Sequence, residues 1–263
     1  MEYFSHQRPL EIRYNVTVPE HLTEYRTNIE EMRKADLILL DEELRRKGSS
    51  IEEKVREGKI WRMKFPQMIY GIDEISQKEN NVYIDLHPIH PHRADLAFKK
   101  DRTLENVPGP LTVTAILETE RDLIFGLRGG SVESGKIGFI PGGHADYRNS
   151  GISEDIGRRA FHTETEEELG LTNEEYSLEI FGIHENPETN GHNIIARMST
   201  DLSLAELEQK RKEASDAWEH SKLVTIPKQV LLEKGLDAFT EYPITDLIRK
   251  GVPLFLEQYK IRP

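Results

Sequence analysis

The sequence predicts an α/β protein, and three observations carry that reading. Two apolar, β-branched runs, Leu111–Leu117 (LTVTAIL) and Leu123–Leu127 (LIFGL), follow one another across a short polar turn. A Pro141-Gly-Gly143 turn then leads through a polar stretch into a helix ending Thr163-Glu-Thr-Glu-Glu-Glu-Leu-Gly-Leu171. Strand and helix patterns continue to alternate downstream as far as Pro227.

Residues 1–107 form an α+β block. Glu20 to about Lys47 reads as one long helix with Ile29, Met32, Leu37, Leu40 and Leu44 as its core face, stopped by Gly48-Ser-Ser50. Ile51 to about Glu57 follows as a short helix, and Ile60–Leu86 alternates as strands do, best in Val82-Tyr-Ile-Asp-Leu86. The block is either a small domain or an extension packed on residues 108–263, with the boundary near Pro108-Gly-Pro110. His87-Pro-Ile-His-Pro-His92 closes it with three histidines. With Asp85 and Asp95 nearby they could hold a transition metal, but Pro88 and Pro91 impose an extended path that opposes convergence, so a surface turn is the default and a loop near a substrate mouth the alternative.

In the second block the runs at Leu111 and Leu123 form an antiparallel pair, and Ile137–Ile140 gives a short strand ending at Pro141-Gly-Gly143. Glu179–Ile183 and Asn193–Met198 are further strands. Ser203 to about Ala217 is a helix opened by a Ser203-x-x-Glu206 capping box, and Trp218–Ile226 is a strand closing on Pro227.

Chemistry concentrates on Glu164, Glu166, Glu167 and Glu168, with no Lys or Arg among them. At about 100° per residue, Glu164, Glu167 and Glu168 share an arc that also contains Ala160, while Glu166 points the other way. Three carboxylates among apolar residues, near a helix C-terminus, are penalised by desolvation and by the macrodipole. A bound divalent cation offsets both penalties. Oxygen donors, with no Cys or His on that arc, suit Mg²⁺, with Mn²⁺ as the alternative. The bland alternative is a solvated acidic face.

The segment resembles the signature box of the Nudix hydrolases. Gly143 matches the leading glycine, Asp155 stands for the first glutamate, and Glu164, Glu167, Glu168, Gly170 and Leu171 match the second half. Thr163 replaces the family's arginine, Thr165 replaces an aliphatic residue, and the spacer from Gly143 to Asp155 is six residues longer than usual. The resemblance covers residues 108–263. It implies a mixed sheet sandwiched between helices, and a metal held by Gly143, Glu164, Glu167 and Glu168. It also implies catalysis by Glu168 and Glu164, with Glu185 and Glu219 as alternative bases. Arg128, His144 and Pro187 are the implied substrate contacts.

Composition sets limits. The net charge of −12 argues against general nucleic-acid binding, and no apolar run reaches membrane-spanning length. The opening MEYFSHQRPL lacks a secretory pattern, so a cytoplasmic location is expected. Cysteine is absent, which excludes disulfides, thiolate sites and the cysteine-dependent isopentenyl-diphosphate isomerase branch of the family. The implied activity is hydrolysis of a nucleoside diphosphate linked to another moiety, of the ADP-ribose or UDP-sugar type. A non-catalytic nucleotide-binding module is the alternative. Family members are often dimers, which leaves a homodimer open.

Overall fold

The computed structural model describes residues 2–4, 11–25, 27–60, 67–78, 81–98, 103–104, 107–129, 133–147, 155–186 and 191–261. Its first elements are the strands β1 (Glu2–Phe4) and β2 (Glu11–Val16), followed by the helices α1 (Ile29–Arg46) and α2 (Ile51–Arg56). The expected single helix from Glu20 is divided. Glu20–Tyr25 is a 3₁₀ turn, and α1 starts only after Asn28, whose side chain accepts the Glu31 N–H at 3.2 Å. An Asn cap satisfies an otherwise unpaired donor, so it sets the start more firmly than helical periodicity does. Met32, Leu40 and Leu44 are buried as expected, but Asp36 takes the inward position and Leu37 is only half-buried.

The strands β3 (Ile69–Lys78) and β4 (Asn81–Ile89) form a hairpin, and β2 joins β4 in parallel to make a three-stranded sheet in the order β2-β4-β3. After β4 the chain turns into the helix α3 (Pro91–Phe98), where an extended turn was expected. Pro91 is its first residue, a position where the missing N–H has no cost and the fixed φ suits a helix.

The remaining elements are β5 (Leu111–Glu118), β6 (Asp122–Arg128), β7 (Ile137–Gly138), β8 (Gly142–His144), α4 (Ile156–Leu169), β9 (Ser177–Asn186), β10 (Gly191–Ser199), α5 (Leu204–Arg211), β11 (His220–Pro227), α6 (Lys228–Lys234) and α7 (Asp246–Ile261). They build a mixed sheet in the order β1-β9-β10-β5-β6-β11, with β7 on β6 and β8 on β5. β5 and β10 run parallel, whereas β5 and β6 are antiparallel as the sequence implied. The Ser203–Glu206 capping box is formed, although α5 ends at Arg211.

Alternation along β5 sends its side chains to two cores. Val113, Ala115 and Leu117 pack with Ile156, Ala160, Phe161 and Leu169 of α4. Ile116 lies in the other core with Phe125, Ile195 and the α7 residues Ile248, Val252 and Phe255. The sheet is thus covered by helices on both faces. The α4 core also includes Met32, Met68, Val82, Ile84 and Leu86 from the first block. Backbone bonds join the blocks as well, from Tyr70 N–H to the Ala145 carbonyl (3.0 Å) and from Tyr147 N–H to the Met68 carbonyl (2.9 Å). No helix among the described residues is long and apolar enough to cross a membrane.

Candidate active site

The helix α4 carries the acidic residues, and both its ends are fixed by its own sequence. At the start, Asp155 is the N-cap, accepting the Arg158 N–H at 3.0 Å, while the Tyr14 hydroxyl from β2 accepts the Gly157 N–H at 3.1 Å. Asp155 therefore serves the helix rather than the cleft. At the other end Gly170 takes the left-handed conformation (φ 66°) that ends helices at glycine. Thr165 points into the core, its hydroxyl bonded to the Phe161 carbonyl at 2.5 Å, which satisfies the one polar atom that distinguishes it from an aliphatic residue.

Along α4, Glu166 is exposed, Glu164 and Glu167 are half-buried and Glu168 is buried. Glu168 Oε2 accepts the Gly142 N–H at 3.3 Å. Glu164 lies against β8 so closely that a Cβ on Gly143 would sit 2.1–2.3 Å from its carboxylate atoms. Only glycine permits that approach, which accounts for the second glycine of the turn. His144 follows on the same strand and is exposed.

The other wall comes from the segment before β11. The Asp216 N–H bonds the Glu167 carbonyl at 2.8 Å, tying this segment to the last turn of α4. Buried Arg211 donates to the carbonyls of Ala217 (3.0 Å) and His220 (2.6 Å) and pairs with Glu208, holding the turn in shape. Glu219 and His220 are thereby delivered to Glu168. Among the described residues this trio alone groups three ligand atoms within 4.8 Å of one another. His220 Nε2 stands 3.8 Å from Glu168 Oε2, and its ring lies on Gly126, where a Cβ would be 2.1 Å from Nδ1. Neither ring nitrogen has a hydrogen-bond partner of ordinary geometry, although His220 is buried. A buried polar atom left in this state costs about 1–3 kcal/mol unless something else satisfies it.

The electrostatics of the group favour positive charge beside it. Burial, then the neighbouring Glu168 and Glu167, push the Glu164 carboxyl well above the usual carboxylate range. Burial and Glu219 do the same to Glu168, against the opposing pull of Arg128 and the Gly142 N–H. Glu219 is also raised, mainly by burial. Burial and the Arg128 charge lower His220 to about 4, so its imidazole is neutral at physiological pH, the form that binds metals. Carboxylates, an unpartnered imidazole and a glycine cradle fit a divalent cation.

Strand, loop, Gly-Gly strand and acidic helix are thus arranged as a Nudix box would have them, on a helix-covered mixed sheet. The chain folds as a mixed sheet with helices on both faces, the architecture that the resemblance implied. No family model matches the sequence, and no curated protein matches it either. Among solved structures it is similar to a mutT/nudix family protein from Listeria innocua, at 20% identity and TM-score 0.38, covering 58% of this chain and 97% of that one. It is also similar to the NUDIX domain of Shewanella oneidensis NrtR complexed with ADP ribose, at 12% identity and TM-score 0.36, covering 62% and 92%. A NUDIX family hydrolase from Clostridium perfringens gives 14% identity and TM-score 0.35, covering 58% and 97%.

The residues named from the Nudix box fall as follows. Gly143 and Glu164 meet, and Glu168 stands with Glu219 and His220 rather than in a ligand group with Glu164 and Glu167. Arg128 reaches the cleft, its Nη2 3.7 Å from Glu219 Oε2. Glu185 lies on β9 opposite His192. Pro187 falls outside the described residues. The three histidines at 87–92 do not converge: His87 pairs with Asp73, His92 with Asp95, and buried His90 accepts the His92 N–H. His220 was missed. Its one sequence signal is a histidine next to a glutamate at the start of a strand whose later apolar residues face inward.

Proposed function

We propose that this chain is a divalent-cation-dependent Nudix hydrolase that cleaves a nucleoside diphosphate linked to another moiety, with a nucleotide sugar of the ADP-ribose or UDP-sugar type as substrate. The observation that carries the reading is the meeting of Glu168 with Glu219 and His220 beside the Glu164–Gly143 contact. Glu168, which stands with Glu219 and His220, would hold Mg²⁺ or Mn²⁺, with Glu164, Glu167 and the Gly143 carbonyl as the further donors that the box implies. When bound, such a cation would supply positive charge to offset that of the diphosphate.

The remaining work belongs to side chains. Glu168 and Glu219 are neighbouring carboxylates, and an oxygen of the pair left free by the cation is placed to take the proton of the attacking water. Arg128, beside Glu219, offers a guanidinium fork to the diphosphate oxygens. His144, exposed on β8 next to Gly143, is the residue implied by the resemblance for contact with the non-phosphate part of a substrate.

The test is turnover of a panel of nucleoside diphosphate sugars, dinucleotides and nucleoside triphosphates with Mg²⁺ or Mn²⁺, read as phosphate released after phosphatase treatment. Hydrolysis of a nucleotide sugar that chelator abolishes supports the reading. Binding of a panel member without turnover under any cation would replace it with the second reading, a nucleotide-binding module, which Thr163 in the place of the box arginine favours.

A further inference from the structure

We infer that His220 is a nitrogen ligand of the cleft's cation, and that the site therefore selects a first-row transition ion such as Mn²⁺ over Mg²⁺. The inference rests on the reading above that the cleft takes a divalent cation, and it adds a donor that the acidic box does not contain.

Geometry is the first support. Two ligands of one octahedral ion, each about 2.1 Å from it, stand about 3 Å apart when adjacent and about 4.2 Å apart when opposite. His220 Nε2 and Glu168 Oε2 are 3.8 Å apart, and the Glu219 carboxylate lies within 4.8 Å of both, so small side-chain rotations bring all three onto one ion. Direction is the second. With Nδ1 laid against the Gly126 backbone, Nε2 is the nitrogen that faces the carboxylates, and it has no hydrogen bond to give up. The backbone holds the ring there, through Arg211 on the His220 carbonyl and the pairing of His220 with Arg128 across β6 and β11.

The third support is donor chemistry. Imidazole nitrogen binds Mn²⁺, Fe²⁺, Co²⁺ and Zn²⁺ well, whereas Mg²⁺ prefers an all-oxygen shell and keeps its waters. Glu168 and His220 are buried and Glu219 is half-buried, so the three donor groups are largely shielded from bulk water.

The experiment uses the full chain loaded with Mn²⁺. Electron spin-echo modulation should show a directly coordinated nitrogen whose frequencies change when histidine is ¹⁵N-labelled. The signal should survive His144→Gln and vanish in His220→Gln. Calorimetry should show the preference for Mn²⁺ over Mg²⁺ falling at least tenfold in His220→Gln, mainly through weaker Mn²⁺ binding. If His220→Gln does not fold, the labelled wild type and His144→Gln still decide. Tight Mn²⁺ binding without nitrogen modulation would overturn the inference and leave the cation reading standing. A wild type that binds neither ion would overturn both.

Discussion

The Glu164 carboxylate occupies the space that a side chain on Gly143 would fill, with the two closer than van der Waals contact were any Cβ present. The close approach sets the carboxylate directly against the β8 backbone. Gly143→Ala should therefore swing Glu164 out of the cleft, because the end of a side chain gives way more easily than backbone. We expect turnover and Mn²⁺ affinity to fall at least about tenfold, with the melting temperature nearly unchanged. Calorimetry and a thermal melt on the same sample check it.

Glu168→Gln separates chemistry from folding. The substitution keeps the volume and one acceptor for the Gly142 N–H but removes a buried charge that its neighbours oppose. Metal-free stability should be unchanged or slightly higher, while turnover drops by about a hundredfold or more. A variant that melts much earlier yet keeps its specific activity would make Glu168 a structural partner only.

Gly126 and His220 form a second interlocked pair, the ring lying where a Cβ would be. Gly126→Ala should destabilise the metal-free protein by about 1–3 kcal/mol, the usual cost of forcing extra volume into a packed site. In His220→Ala the same change should cost much less, so the double-mutant cycle should give a coupling of about 1 kcal/mol or more. Urea unfolding of the four proteins measures it.

Tyr14 ties the first block to the acidic helix. Tyr14→Phe keeps the ring but removes the acceptor of the Gly157 N–H, which should cost about 1 kcal/mol. Amide exchange at Gly157 should quicken, while exchange in the middle of β5 should not. Equal acceleration at both places would mean that the hydroxyl has no local role.

Acid should loosen the first block. Burial, and then the charge on His92, lower His90 to about 3, so it stays neutral in the fold although it would bind a proton near 6.5 when unfolded. A lowered histidine contributes stability that is complete above about pH 6.5 and drains away as pH falls towards 3, by up to about 1.4 kcal/mol per pH unit. Asp36 adds to this at the acid end. Burial would raise it, but His21, Arg93 and the His90 N–H together hold it down to about 2. Melts between pH 7 and pH 4 should therefore fall more steeply for wild type than for His90→Asn, in which the titrating ring is gone.

How far the sequence revealed this arrangement depends on whether a signal was local. The acidic helix was legible because its carboxylates, its N-cap and its terminal glycine lie within one stretch, and helical geometry alone decides that Glu166 points outward. The strands at Leu111, Leu123, Glu179 and Asn193 were legible because their apolar runs are continuous. His220 was not, because it turns inward at a register shift between His220 and Lys222, and only pairing with β6 reveals that shift. Asp36 was unreadable for a related reason. Its burial depends on Arg93 and the His90 N–H, both far along the chain.

The bond from the Asp216 N–H to the Glu167 carbonyl joins two parts of the chain that are made at different times. On the ribosome the acidic helix emerges first, and its glutamates wait without Glu219 or His220 while β9, β10 and α5 are still being added. A nascent or truncated chain that stops short of α5 would display every box residue and still lack the far wall of the cleft. If the proposed hydrolysis is right, chains that end before β11 should fail to turn over any nucleotide of the panel.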